Sequence, residues 1–451
     1  MASRSRHDHR ESIDIEIHDL SGAGSGVGRL PDGRAVFVPR TAPGDQIGVR
    51  LTRDKPRFAV GEMTALHSQS EQRRTPECPL YDRCGGCQIQ HLQYRHQVEA
   101  KGRRISEALR RIGGIELPEE VLVEPAPAEW HYRNRVRFTL RRITGREGVS
   151  RVIAGFHRLG QPGRILDVRD ECLLAEIGII STWSGIRANW GEGASRLPSG
   201  DMLSLTLRSA VDGVVLVIDG GHPADTDAVL GAEAMLAAVP NLLAVWHRGD
   251  GESELTLLAG SADRTDRWFG EVVPVGSRAF LQVNRELGEA LHLDVLKEMG
   301  NPAGLHVIDA YCGVGAYGRR LARHGARAEG IELDVDAAEA AGRDAPDGWT
   351  VHAGRVEEVL PGLEQPDRLI LNPPRDGLDE AVTAWLSTAE IPRIVYVSCD
   401  PGTLARDLKR LGDRWQVVRV KGYDLFPQTS HVETVVTLEC KNGGEASTLR
   451  S

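Results

Sequence analysis

The chain has 451 residues, too many for one hydrophobic core and, at roughly 100–200 residues per domain, enough for about three domains. A net charge of −9 excludes a surface that binds polyanions everywhere but leaves room for a local basic face. Residues 1–10 are polar and basic without the apolar centre of a secretory signal, and the most apolar stretch, 230–246, is interrupted by Glu233, Pro240 and Asn241; a cytoplasmic protein with no membrane partner and reduced thiols is expected.

Residues 1–10 read as a disordered tail and 11–70 as a small OB-like β-barrel. In the latter, short runs such as Ile13–Ile17, Ala35–Val38 and Gln46–Leu51 alternate with Gly, Pro and Asp turns. Gly22-Ala23-Gly24-Ser25-Gly26-Val27-Gly28 imitates a dinucleotide loop, but Pro31-Asp32-Gly33 and another strand follow, so the glycines are assigned to bends of the barrel. Small barrels of this kind commonly serve as oligonucleotide platforms. Residues 71–275 form the expected central α+β domain. It contains a basic helix-like segment, Lys101–Ile112, and a β-type run in which Arg133, Arg135, Arg137, Arg141 and Arg142 alternate with Val136, Phe138 and Leu140. That run puts much of its positive charge on one strand face, as a solvated face or as a phosphate contact.

Of seven cysteines, Cys78, Cys84 and Cys87 are clustered and Cys172 lies in Val168-Arg169-Asp170-Glu171-Cys172. Four thiols in a reducing compartment suggest a metal group rather than disulfides. Three clustered ligands plus a remote one suit a [4Fe-4S] cluster better than zinc, which more often uses two paired knuckles; free buried thiols are the remaining alternative.

Residues 276–451 alternate strand and helix from Leu305 onward, which specifies a doubly wound, Rossmann-like parallel sheet. The first turn, Asp309-Ala310-Tyr311-Cys312-Gly313-Val314-Gly315, brings backbone close to a ligand, and Glu332 at the end of the second strand suits the two hydroxyls of a ribose. Reading that turn as Gly-x-Gly without a third glycine favours S-adenosylmethionine over NAD. Asn372-Pro373-Pro374-Arg375 makes a rigid turn after the fourth strand, and the residue after the prolines is not aromatic, which weakens a reading as an amino-nitrogen methyltransferase. Cys399, in Ser398-Cys399-Asp400-Pro401, lies where the strand Ile394–Val397 gives way to a helix, at the strand end where such sheets bind ligands.

Together, Cys78/Cys84/Cys87 with Cys172, the 309–315 turn, and Ser398-Cys399-Asp400-Pro401 with Ser430-His431-Val432-Glu433 resemble the RNA uracil-5-methyltransferases, most closely the iron–sulfur branch that modifies ribosomal RNA. The resemblance runs from a TRAM-like barrel to Leu438. It implies Cys399 as nucleophile toward carbon 6 of uracil and Glu433 as the base that removes the carbon 5 proton. It also implies Gln282, Tyr311, Glu332 and Asn372 as S-adenosylmethionine contacts, Cys78, Cys84, Cys87 and Cys172 as [4Fe-4S] ligands, and a monomer acting on 23S ribosomal RNA, with transfer RNA the alternative. Asn372 departs from the Asp usual in that family. The rival readings are a methyltransferase of another target and a non-catalytic iron–sulfur RNA-binding protein.

Overall fold

The computed structural model describes residues 12–145, 148–263, 265–268, 271–274 and 282–441; the 1–10 tail and the boundary drawn at 275/276 lie outside them. Ile15 and Ile17 alternate with exposed neighbours and are buried together with Val36, Val38, Ile47 and Val49, so their strands roll up around them. These strands are β1 (Ile13–Leu20), β2 (Gly26–Arg29), β3 (Ala35–Val38), β4 (Gln46–Asp54) and β5 (Phe58–Ser68), closed in the order β1-β2-β3-β5-β4. The expected barrel is present, and the glycine run falls in its first hairpin.

The central unit is a seven-stranded sheet ordered β13-β12-β11-β10-β7-β8-β9. Its strands are β7 (Arg135–Gly145), β8 (Gly148–Arg158), β9 (Gln161–Asp167), β10 (Met202–Ala210), β11 (Gly213–Asp219), β12 (Leu242–Arg248) and β13 (Thr256–Gly260). Helices α2 (Ile177–Asn189) and α3 (Thr226–Ala238) contribute to its core, where the Phe138 ring stacks on Trp183 at 4.2 Å. A short hairpin, β14 (Thr265–Trp268) and β15 (Glu271–Pro274), follows.

The doubly wound domain has an eight-stranded sheet in the order β18-β17-β16-β19-β20-β22-β21-β6. β16 (His306–Ala310), β17 (Arg327–Glu332), β18 (Trp349–Ala353), β19 (Arg368–Leu371) and β20 (Arg393–Ser398) are parallel; β22 (Glu433–Cys440) runs antiparallel between β20 and β21 (Trp415–Tyr423). The crossovers use α5 (Ala316–Arg323), α6 (Val335–Gly342), α7 (Val356–Val359), α8 (Glu380–Leu386) and α9 (Pro401–Leu411), with α4 (Arg285–Met299) leading into β16. β6 (Val123–Glu124) pairs parallel to β21, and α1 (Tyr94–Ala108) contributes Ile105 to this domain's core. The division at 71–275 is therefore corrected: residues 94–124 pack with the C-terminal sheet, because α1 and β6 bury their apolar side chains there.

Helix α5 lies directly on Trp349. A Cβ on Gly318 would sit 2.0 Å from Trp349 Cζ3, and one on Gly330 would sit 2.4 Å from its Cη2. Close approach, not conformational freedom, requires glycine at Gly318. Gly318→Ala is expected to cost roughly 1–3 kcal/mol through overpacking, read as a lowered Tm; a variant as stable as the parent would contradict this packing.

Candidate active site

Strand order reverses between β16 and β19, the kind of switch point where open α/β sheets bind ligands. Tyr311 follows β16, Glu332 ends β17, Asn372 follows β19 and Cys399 follows β20, all at the carboxyl edge. β22 runs the opposite way, so its first residue, Glu433, lies at that same edge. The β20–β22 register ends at Ser398↔Thr434, and one further step sets Cys399 opposite Glu433.

The turn after β16 holds Tyr311, Gly313 and Gly315 at φ of 63°, 57° and 77°. Left-handed backbone is costly for Tyr311 and is the kind of strain that collects at ligand sites. Glu332 fastens this turn: its Oε2 accepts from Gly313 N at 2.8 Å and its Oε1 from Asp334 N at 2.8 Å. Asp309 Oδ2 accepts from Gly318 N at 3.0 Å, and burial raises this carboxyl to about 7. Asn372 N donates to Ala310 O at 3.3 Å. Gln282 packs near Gly288 of α4, and its Oε1 is buried with no partner among the described residues, an acceptor available to a ligand.

Burial pushes the Cys399 thiol up to about 11; the Glu433 carboxylate adds to this and Arg375 opposes it. Burial also raises Glu433, 3% exposed, to about 7, again opposed by Arg375. Arg375 Nη2 approaches the His431 ring nitrogens at 3.3 and 3.4 Å, and burial keeps that imidazole neutral, with its pKa lowered to about 4. The guanidinium of the Pro-Pro-Arg turn is thus the cation that both Cys399 and Glu433 sense. Its position in the motif was visible in the sequence; its role was not.

Residues distant in sequence hold the two loops that carry this pair. Arg104 of α1 donates through Nη1 to Ser430 O at 2.7 Å and through Nη2 to Asp400 Oδ2 at 3.1 Å. Asp400 also caps α9, accepting from Gly402 N at 2.8 Å and Thr403 N at 3.1 Å. Gln428, fully buried at φ 70°, accepts from Gln97 Nε2 and Arg74 Nη2 at 2.9 Å each and donates to Glu129 Oε2 at 3.0 Å. Its carbonyl accepts from Gln88 N and Ile89 N at 3.1 Å each. The first barrel hairpin abuts the same loops: a Cβ on Gly24 would lie 2.8 Å from Gln88 Cβ and 3.3 Å from Ser430 Cβ.

Cys78, Cys84, Cys87 and Cys172 line one cavity of ≈ 400 Å³ together with Arg133, Arg135 and Arg137. No group of three or more His, Cys, Asp or Glu side chains among the described residues is disposed to hold a metal ion. Arg40 of the barrel grips the cysteine loop, donating to Tyr81 O and Cys84 O at 2.8 Å and to Cys87 O at 2.6 Å. Within the arginine run, Arg133, Arg135 and Arg137 share one parity and line this cavity, whereas the reading is corrected for Arg142, which lies buried in the core, donating to the carbonyls of Gly193, Ala194, Leu197, Pro198 and Gly200.

Residues 362–441 match the tRNA (uracil-5-)-methyltransferase family model, and residues 6–64 match the TRAM domain. An uncharacterised RNA methyltransferase of Synechocystis sp. is 35% identical over 96% of both chains, and one of Bacillus cereus is 32% identical over 95% of this chain and 97% of its own. The chain belongs to the RNA uracil-5-methyltransferase family. A Pyrococcus abyssi tRNA (uracil-54, C5)-methyltransferase, solved with S-adenosyl-L-homocysteine, superimposes with a TM-score of 0.71 at 25% identity, covering 94% of this chain and all of its own. This methyltransferase is therefore an S-adenosylmethionine-dependent, RNA-methylating enzyme of mixed α/β fold. The expected lack of a third glycine is corrected: Gly318 completes Gly-x-Gly-x-x-Gly, so the glycine spacing does not separate S-adenosylmethionine from NAD. No helix among the described residues is long and apolar enough to cross a membrane.

Arg104 reaches the loops before Glu433 and after Cys399 at once. Arg104→Ala is expected to lower the single-turnover methylation rate about a hundredfold, the order of loss from a misplacement near 1 Å. Arg104→Lys should recover only part, because one ammonium cannot span both acceptors; full recovery by lysine would show that only charge is required.

Proposed function

We propose that the enzyme methylates carbon 5 of a uridine in RNA through a covalent adduct on Cys399. The observation carrying this reading is the β20–β22 register, which sets Cys399 opposite Glu433 at the cofactor edge of the sheet. Carbon 5 of uracil is a weak nucleophile. The Cys399 thiolate adds to carbon 6, and the π electrons move through carbon 5 to the carbon 4 carbonyl as an enolate. S-adenosylmethionine supplies an electrophilic methyl group, which carbon 5 takes as S-adenosylhomocysteine leaves. Glu433 then takes the proton from carbon 5; the electron pair reforms the 5,6 double bond and the sulfur leaves as thiolate. Arg375 favours the anionic form of both groups.

Gln282, Tyr311, Glu332 and Asn372 are the residues we assign to the cofactor. Gln282 offers its unpartnered buried oxygen, and Asn372 offers hydrogen bonds without the charge of an aspartate. Cys78, Cys84, Cys87 and Cys172 are the residues we assign to a [4Fe-4S] cluster: four thiols around an extended cavity beside three arginines suit an anionic cluster better than one zinc ion. Held by these four thiols, a cluster would tie the 78–87 loop to Cys172. Ribosomal RNA is the substrate we favour, on the resemblance of the four-cysteine pattern. Transfer RNA is the second reading, supported by the P. abyssi enzyme named for tRNA uracil-54.

Incubation with methyl-deuterated S-adenosylmethionine and ribosomal and transfer RNA from a deletion strain should yield labelled 5-methyluridine in one pool. Cys399→Ala should abolish it, and labelled product from that variant would exclude the covalent route. Glu433→Gln should accumulate a protein–RNA adduct stable to denaturation, with turnover lowered by at least about a hundredfold.

The rate should climb steeply up to pH about 7, where Glu433 ionises, and more gently above it as the thiolate fraction grows. A flat profile between about pH 6 and 8 would remove Glu433 as the base. The same carboxyl ionises at 4.5 by its ordinary value, so between 4.5 and about 7 the folded state holds a proton that the unfolded state has lost, and stability falls as pH rises through that window. Glu433→Gln should therefore gain on the parent over that range, by on the order of 3 kcal/mol above it, in denaturant melts.

Anaerobically purified protein should contain about four iron atoms and four acid-labile sulfides per chain. Cys87→Ser should lose them and lower the Tm; a parental Tm with no iron would leave the thiols as packing residues.

A further inference from the structure

A groove of ≈ 290 Å³ opens beside Cys399, and none of Gln282, Tyr311 or Glu332 lines it. Five separate parts of the fold form its walls: the barrel hairpin around Leu20 and Gly22, Ile89 of the cysteine loop, one side of α1 with the turn after it, Asp400 to Gly402 at the start of α9, and Ser430. Its lining is largely apolar, with Leu20, Ile89, Ile112 and Pro401 contributing, and Ile112 is 43% exposed.

Its cations are not equivalent. Lys101 is paired with Asp424, Arg104 with Asp400 and Arg111 with Glu107. Arg103 has no hydrogen bond or ion pair among the described residues. One uncommitted guanidinium over an apolar floor offers a phosphate contact and an apolar surface for a base side by side.

Continuity with the reacting centre selects the occupant. A uridine that reaches Cys399 has left its stack, so the chain on either side of it passes within one nucleotide of the thiol. The groove begins at Asp400, the residue after Cys399, and shares Ser430 with the loop that leads to Glu433. Its volume lies at the lower limit of small-molecule pockets, roughly 300–1,000 Å³, which admits one nucleotide and not a duplex.

We propose that this groove seats the nucleotide adjacent to the target uridine, with its base against Leu20 and Ile112 and its phosphate on Arg103. The assignment rests on the uridine reading above and adds a role for the barrel: its hairpin forms one wall of the substrate path.

The test uses the full chain and fluorescein-labelled octauridylate, with affinity measured over a series of salt concentrations. Arg103→Ala should bind five- to tenfold more weakly, and its slope of log affinity against log salt should fall by about 0.7, one phosphate contact on a single strand. Ile112→Asp should weaken binding at least as much. Parental S-adenosylmethionine affinity in both variants reports an intact fold. Parental affinity and slope in Arg103→Ala overturn the proposal, as does a wild type that fails to bind octauridylate at low salt. Formation of 5-methyluridine by the wild type on deletion-strain RNA is scored separately. The groove fails alone if methylation proceeds and Arg103→Ala binds as the parent does; the uridine reading fails alone if binding depends on Arg103 but no uridine is methylated.

Discussion

The proposed chemistry depends on one strand register. β22 enters antiparallel between β20 and β21, and only the pairing that ends at Ser398↔Thr434 sets Glu433 opposite Cys399. Strand registers are usually fixed by alternation of apolar and polar faces, since a one-residue slip turns each side chain to the other face. That device is weak here. Thr434, Val435, Val436, Thr437 and Leu438 are all buried, so β22 is covered on both faces and a slip would expose little apolar surface.

What pins the register lies outside the sheet, in residues 424–432. Asp424 is fully buried and paired with Lys101, itself 2% exposed, and Lys101 Nζ also donates to Phe426 O at 3.1 Å. Tyr132 Oη donates to Pro427 O at 3.0 Å, and Gln428 is held from five directions in a backbone conformation unfavourable to a non-glycine residue. A buried ion pair is weak evidence for net stability, but losing either partner leaves an uncompensated charge, so such pairs penalise wrong arrangements. The 424–432 loop is therefore over-determined, as a loop must be if it is to deliver a buried glutamate to a fixed place.

The alternating strand–helix pattern from Leu305 onward was legible because each parallel strand is a short apolar run bounded by turn residues, and the carboxyl-edge positions of Tyr311, Glu332, Asn372 and Cys399 follow from that pattern. The four cysteines were legible as a group, and the structure brings them to one cavity. The supports of the site were not legible. Arg104 and Asp400 are 296 positions apart, and Gln97 and Gln428 are 331 apart, with no local periodicity to announce either contact. Residues 94–124 were placed in the wrong domain for a related reason: a two-residue strand, Val123–Glu124, carries no periodic signal, yet it fixes the segment to the sheet edge beside β21. Arg142 was not separable from its neighbours in the run by residue type, yet at the opposite parity it buries its guanidinium among backbone carbonyls.

These supports converge on the cysteine loop. On one side Arg40 of the barrel binds three of its carbonyls and stacks over Tyr81 at 3.5 Å; on the other, Gln88 and Ile89 donate to Gln428 O. Ala42 of the barrel packs with Ile89 and Leu92 of the same segment. Residues 78–92 thus join the barrel to the loop that sets the β22 register, with their own short turns offering little regular secondary structure to hold them. A segment of that kind needs a constraint from elsewhere to stay ordered, and four thiols facing one cavity supply a place for one. Ordering this loop, positioning the first barrel hairpin and aligning Glu433 with Cys399 are consequences of the same set of contacts.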